Sequence, residues 1–277
     1  MKKHIFFDID GTILSNENII PEKTKYALKK LKENGHSIYV CSGRTKGYVF
    51  DPRIRNLGFD GYVYGCGTMI EYKDRILYEY RLDEETIEKT CKVILDYDIY
   101  AVYEGKDKMY MSFENELFHL THKDRLEAIS KLHTQVAYAH KLKDDMGDRL
   151  ADIRLSYPNI DASKVSVYIK SKEAREEFFK SCEGVLVPIS RGEEVHEMVP
   201  AGHSKGNGIL KLCRYAGIDE NNTISFGDSN NDADMFEKTN LSICVGNGSD
   251  GAKAKAKYIT TGIEDGIYDA CVHFGLI

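Results

Sequence analysis

Lys3-His4-Ile5-Phe6-Phe7-Asp8-Ile9-Asp10-Gly11-Thr12 decides how this chain is read. A short apolar run leads straight into two carboxylates two residues apart. Side chains two apart on an extended segment point the same way. Asp8 and Asp10 are therefore expected to face one place, where the backbone leaves a sheet. Gly11 permits a turn that other residues resist. Like charges this close repel unless a cation lies between them or one carboxylate keeps a proton. The pair reads as a divalent-metal site, as an acid and a nucleophile, or as both. The plainer alternative is a strand that ends in solvated turn-forming aspartates.

The elements that follow place this strand in a parallel sheet. Pro21 to Asn34 is expected to be a helix. Proline suits its first turn, Ala27, Leu28 and Leu31 form an apolar stripe, and Gly35 fits the C′ position. Ile38 to Cys41 is nearly all apolar, as for a strand covered on both faces, and it ends in Ser42-Gly43-Arg44. Gly61 to Tyr64 ends in Gly65-Cys66-Gly67. The same texture returns late in the chain. Ser204 is placed to cap a helix that starts at Lys205 and ends at Gly217. Thr223 to Phe226 is a strand running into Gly227-Asp228-Ser229-Asn230-Asn231-Asp232, and Leu241 to Val245 is another. In such sheets ligands bind beyond the carboxyl ends of the strands.

The middle of the chain reads differently. Helices are expected over 84–98, 114–132 and 173–181, and a hairpin turns at Gly105-Lys106-Asp107. Ile153 to Tyr157 and Val165 to Ile169 alternate apolar with polar, the mark of strands with one wet face. The expected fold is α/β, a Rossmann-like parallel-sheet core with an inserted α+β domain. The core takes residues 1–82 plus 188–277, and the insert takes 83–187.

At 277 residues the chain suits two domains. Its apolar content of 42% is enough for packed cores. The 38 basic and 44 acidic residues give −6 without basic blocks, which argues against a nucleic-acid binder. The seven cysteines are scattered with no CxxC pair, so they read as reduced core residues of a cytoplasmic protein. Asp8 and Asp10 interrupt the N-terminal apolar run before it reaches the length of a signal-peptide core, and no stretch has the length of a membrane span.

Polar groups from four strand or helix ends are thus expected to converge: Asp8 and Asp10, Ser42, Lys205, and Asp228 with Asn231 and Asp232. Each has an ordinary reading, Ser42 as a turn residue, Lys205 as a solvated lysine and the last group as a turn with an N-cap. Lysine at a helix start is slightly disfavoured by the helix dipole, so a nearby anion would explain it. Carboxylates, a hydroxyl and a lysine at sheet carboxyl ends suit metal-assisted phosphoryl transfer.

Asp8-Ile9-Asp10-Gly11-Thr12, Ser42-Gly43-Arg44, Ser204-Lys205-Gly206 and Gly227 to Asp232, in that order, resemble the four motifs of the haloacid dehalogenase (HAD) superfamily. The large insert between the second and third motifs is similar to the α/β cap of its Cof-type sugar-phosphatase-like branch. Val245-Gly246-Asn247-Gly248 and Glu264-Asp265-Gly266 agree with that branch's ending. Gly65-Cys66-Gly67-Thr68 departs from its usual Asn-Gly-Ala-like step. The resemblance implies a phosphatase for a small phosphorylated metabolite, such as a sugar phosphate. Asp8 would be the nucleophile, forming an aspartyl phosphate, and Asp10 the acid and base. Asp8, Asp10 through its backbone carbonyl, and Asp228 would hold Mg²⁺. Ser42, Gly43, Lys205 and Asn231 would bind the phosphate, and Asp232 would support them. The inserted domain would select the substrate; Arg154, His119 and His122 are candidates for leaving-group contacts, but each is read first as a solvated surface residue and none is placed in the site. A phosphomutase or phosphotransferase of the same superfamily is the alternative, and a metabolite-binding regulator without catalysis is a third reading. Oligomeric state is not legible.

Overall fold

Strand β1 (His4–Phe7) sits inside the first sheet because every one of its apolar side chains finds a buried layer. Ile5 and Phe7 pack into one layer, with Ala27, Leu28 and Leu31 of the helix Glu22–Glu33 and Ile267, Ala270 and Cys271 of the helix Gly266–His273. Phe6 faces the other layer, with Ile209, Leu212 and Cys213 of the helix Lys205–Ala216 and Met235 and Phe236 of the helix Ala233–Lys238. An unbroken apolar run is what a strand covered on both faces requires. The fold is α/β. The computed structural model describes residues 1–15, 17–49, 51–112, 150–190 and 193–277. The helix expected over 114–132, with His119 and His122, lies outside the described residues.

The other strands are β2 (Ser37–Cys41), β3 (Gly61–Tyr64), β4 (Met69–Tyr72), β5 (Arg75–Glu79), β6 (Tyr100–Glu104), β7 (Met109–Met111), β8 (Leu150–Asp152), β9 (Lys164–Tyr168), β10 (Leu186–Ser190), β11 (Val195–Pro200), β12 (Thr223–Gly227), β13 (Leu241–Cys244) and β14 (Tyr258–Ile259). Among the described residues, the first sheet runs β14-β13-β12-β1-β2-β3-β4-β5. Pairs from β14 through β3 are parallel, and β4 and β5 continue antiparallel. β1 lies between β2 and β12, so the order reverses there, and ligands collect at such a switch point. The second sheet runs β10-β11-β9-β6-β7-β8.

The chain packs as two compact units, Met1–Glu79 with Gly202–Ile277, and Tyr80–Ala201. The second unit runs past residue 187, where the sequence reading ends it. The reason is that β10 pairs with β11 and β11 with β9, which keeps both strands in the second sheet.

Two strand expectations need correction. Ile153 to Tyr157 is not a strand: β8 ends at Asp152, and Ile153–Ser156 is a helical turn. Asp152 Oδ1 accepts the Arg154 N–H at 2.6 Å and caps that turn, and Leu155 is 88% exposed. Its alternating pattern therefore marks no sheet face. Arg154 Nη1 donates to the Ser112 carbonyl at 3.1 Å. β9 has no wet face either. Val165 and Val167 join the core of the unit, and Lys164 and Ser166 on the other face are buried too. Lys164 is paired with Glu197 and, at 3.3 Å, with Glu104, and Ser166 Oγ donates to Glu104 at 2.8 Å. Polar residues inside a sheet signal exposure only when no charge partner stands across from them.

Candidate active site

The site begins where β1 stops. Gly11 has φ +81°, a left-handed value that suits glycine, and its N–H donates to the Leu14 carbonyl at 2.9 Å. A Cβ on Gly11 would lie 2.3 Å from Asp228 Oδ2. Glycine is needed here for the turn and also for the room it leaves the Asp228 carboxylate. Thr12 Oγ1 fixes that carboxylate by donating to Oδ1 at 2.9 Å.

The loop after β12 closes on Asp232. Its Oδ2 accepts the N–H groups of Asp228 and Ser229, both at 2.9 Å. Gly227 lets it approach, since a Cβ there would meet the Asp232 carboxyl carbon at 2.6 Å. The loop after β13 ties in through Ser249 N–H on the Asp228 carbonyl at 2.7 Å and Asn247 Nδ2 on the Gly11 carbonyl at 3.0 Å.

Lys205 enters from the first turn of the helix Lys205–Ala216, which Ser204 caps by accepting the Asn207 N–H at 3.0 Å. Its ammonium is buried and reaches Asp8 Oδ1 at 2.8 Å, Asp232 Oδ1 at 2.6 Å and Asn231 Oδ1 at 3.1 Å. Three acceptors meet three N–H donors. The dipole argument from sequence thus has its physical basis: the lysine turns away from solvent onto two carboxylates.

Burial shapes the charges. It pushes the Asp8 carboxyl well above its usual range; Lys205 opposes this, and Asp232, Asp228 and Asp10 add to it. Burial, then the Asp232 charge, push Asp228 up to about 7, against the Thr12 hydrogen bond and Lys205, with Asp10 adding to the rise. Burial pulls Lys205 down, but Asp232 and Asp8 outweigh it and hold the ammonium well above its ordinary value. A buried cluster of carboxylates with too little positive charge is one that a cation relieves.

The structure brings together Asp8, Lys205, Asp228, Asn231 and Asp232. Ser42 and Gly43 are buried in the turn after β2, where Ser42 Oγ accepts the Arg44 N–H at 3.2 Å. Asp10 is half-exposed and bound through both oxygens by Arg44. The sequence reading gave no role to Thr12, Arg44 or Asn247. Arg44 had a signal, a cation two residues beyond Ser42 at a strand end. Thr12 had none, because its partner is 216 positions away.

The donor set fits a hard divalent cation. Asp8, Asp228 and Asp232 offer carboxylate oxygens within 4.8 Å of one another. Asp232 is occupied by Lys205 and two backbone N–H groups, whereas Asp8 and Asp228 each commit Oδ1 to one partner and have a second oxygen to offer. An all-oxygen set suits Mg²⁺. The seven cysteines are buried thiols outside any disulfide. Among the described residues no helix is long and apolar enough to cross a membrane.

Residues 5–270 match the haloacid dehalogenase-like hydrolases. YkrA of Bacillus subtilis (strain 168), provisionally named a phosphatase, is 27% identical over 99% of this chain and 98% of its own. The 5-amino-6-(5-phospho-D-ribitylamino)uracil phosphatase YwtE of the same strain is 25% identical over 93% of this chain and 92% of its own. The HAD subclass IIB sugar phosphatase BT4131 shares the fold, with a TM-score of 0.77, 24% identity and full coverage of both chains. A match across nearly the whole chain leaves one assignment: this protein belongs to the haloacid dehalogenase-like hydrolases.

Proposed function

We propose that the chain is a Mg²⁺-dependent phosphatase that hydrolyses a small phosphorylated metabolite, a sugar phosphate or a related ester, through an aspartyl phosphate on Asp8. The observation that carries this is the Asp8 carboxylate, buried and paired at 2.8 Å with the buried Lys205 ammonium beside Asp228. Asp8 attacks phosphorus, and the P–O bond to the leaving group breaks. Asp10 gives its proton to the leaving oxygen, then takes one from the water that attacks the aspartyl phosphate. Lys205 offsets repulsion between Asp8 and a dianionic substrate, and Ser42, the Gly43 N–H and Asn231 hold phosphoryl oxygens. Asp232 positions Lys205 and keeps the Asp228 loop closed. Asp8, Asp228 and the Asp10 carbonyl would hold Mg²⁺, which when bound neutralises phosphoryl charge. We assign choice of substrate to the inserted unit, 80–201.

Phosphate release from phosphorylated sugars, 5-amino-6-(5-phospho-D-ribitylamino)uracil and p-nitrophenyl phosphate tests the reading. With Mg²⁺ at least one compound is expected to be hydrolysed, and EDTA is expected to stop it. Activity indifferent to EDTA contradicts the metal assignment. Transfer to an added alcohol in place of free phosphate marks a phosphotransferase.

A further inference from the structure

Arg44 grips Asp10, whose side chain is half-exposed. Its Nε donates to Asp10 Oδ2 at 2.8 Å and its Nη2 to Oδ1 at 2.5 Å. The Arg44 side chain is 9% exposed and that of Asp10 46%. The backbone under the arginine is fixed at both ends. Its N–H is held by Ser42 Oγ, and its carbonyl accepts the Gly65 N–H at 2.8 Å. A rigid loop therefore holds the guanidinium, and the planar fork holds both oxygens of the half-exposed Asp10 carboxylate in one plane. An ion pair with a half-exposed partner adds little to stability. What a two-pronged grip does add is direction.

We infer that Arg44 is the positioning residue that aims Asp10 at the leaving-group oxygen and then at the attacking water. The inference rests on the reading of Asp10 as acid and base. In the first half-reaction the Asp8 Oδ–P bond forms, the P–O bond to the leaving group breaks, and the Asp10 proton ends on that oxygen. In the second, water adds to phosphorus, the Asp8 Oδ–P bond breaks, and a water proton returns to Asp10. Both steps need the carboxyl group within hydrogen-bond reach, and a misplacement of about 1 Å lowers the rate about a hundredfold.

Two substrates separate positioning from structural damage. The p-nitrophenolate leaving group departs as a stable anion and needs no proton, whereas the alkoxide of glycerol phosphate does. Arg44→Met, Arg44→Lys and Asp10→Asn are compared with wild type by stopped flow and steady-state kinetics, with thermal unfolding as a check on folding. For Arg44→Met on p-nitrophenyl phosphate, kcat is expected to fall about a hundredfold while kcat/KM holds, so a burst of nitrophenolate precedes slow turnover. On glycerol phosphate both constants fall. Arg44→Lys recovers only part of the loss, because an ammonium cannot hold two oxygens in a fixed plane. Wild-type kcat in Arg44→Met, or equal loss of kcat/KM on both substrates, overturns the inference. Wild-type turnover in Asp10→Asn instead overturns the acid–base reading beneath it.

Discussion

Asp8→Asn is expected to lower turnover by a factor of about 10⁴ or more while the protein stays folded. Asparagine has the shape of aspartate but cannot attack phosphorus as a carboxylate does. Stability is expected to survive because burial and three neighbouring carboxylates already work against charge on Asp8. Removing that charge relieves repulsion from Asp228 and Asp232, and the amide oxygen of asparagine still offers Lys205 a neutral acceptor beside Asp232 and Asn231. Phosphate release and thermal unfolding measured together check this. A folded Asp8→Asn protein with an appreciable fraction of wild-type turnover removes Asp8 from the nucleophile's role.

Lys205→Met is expected to damage both activity and stability. Methionine fills similar volume, so the change isolates the charge. Asp8 and Asp232 are then left buried without their cation, and removing one partner of a buried pair costs about 3–5 kcal/mol. The loss spreads, since Asp232 also closes the Asp228 loop through the N–H groups of Asp228 and Ser229. Denaturant unfolding is expected to show a lower midpoint, and phosphate release is expected to vanish. Lys205→Arg is expected not to restore activity, because a planar fork does not match three acceptors gathered around one nitrogen. A Lys205→Met protein as stable and active as wild type contradicts the role given to this lysine.

The parallel core was legible because its strands are buried on both faces and so read as apolar runs ended by glycine and polar groups. Phe6 and Phe7 illustrate this, one packed into each layer. Lys205 was legible for a different reason: its charge conflicts with a helix N-terminus unless anions lie nearby. The second unit was harder. Ile153 to Tyr157 has the period of a strand, yet the Asp152 side chain captures the Arg154 N–H and turns the backbone. Ser166 looked like a solvent-facing residue because its partner, Glu104, lies on a strand distant in sequence. The same limit hid Thr12 and the grip of Arg44 on Asp10, since pairings across 216 and 34 positions leave no local pattern. Gly11 was read as a turn former, but its second task, making room for Asp228, becomes visible only when two strand ends meet.

The most direct test of the central claim is to trap the covalent intermediate. Wild-type protein is mixed with Mg²⁺ and a good substrate, quenched in acid within the first turnover, digested, and its peptides weighed. One phosphoryl group is expected on the peptide that carries Asp8, stable in acid, lost on treatment with hydroxylamine, and absent from Asp8→Asn. Full turnover with no phosphorylated peptide, or with the label on another residue, contradicts attack by Asp8.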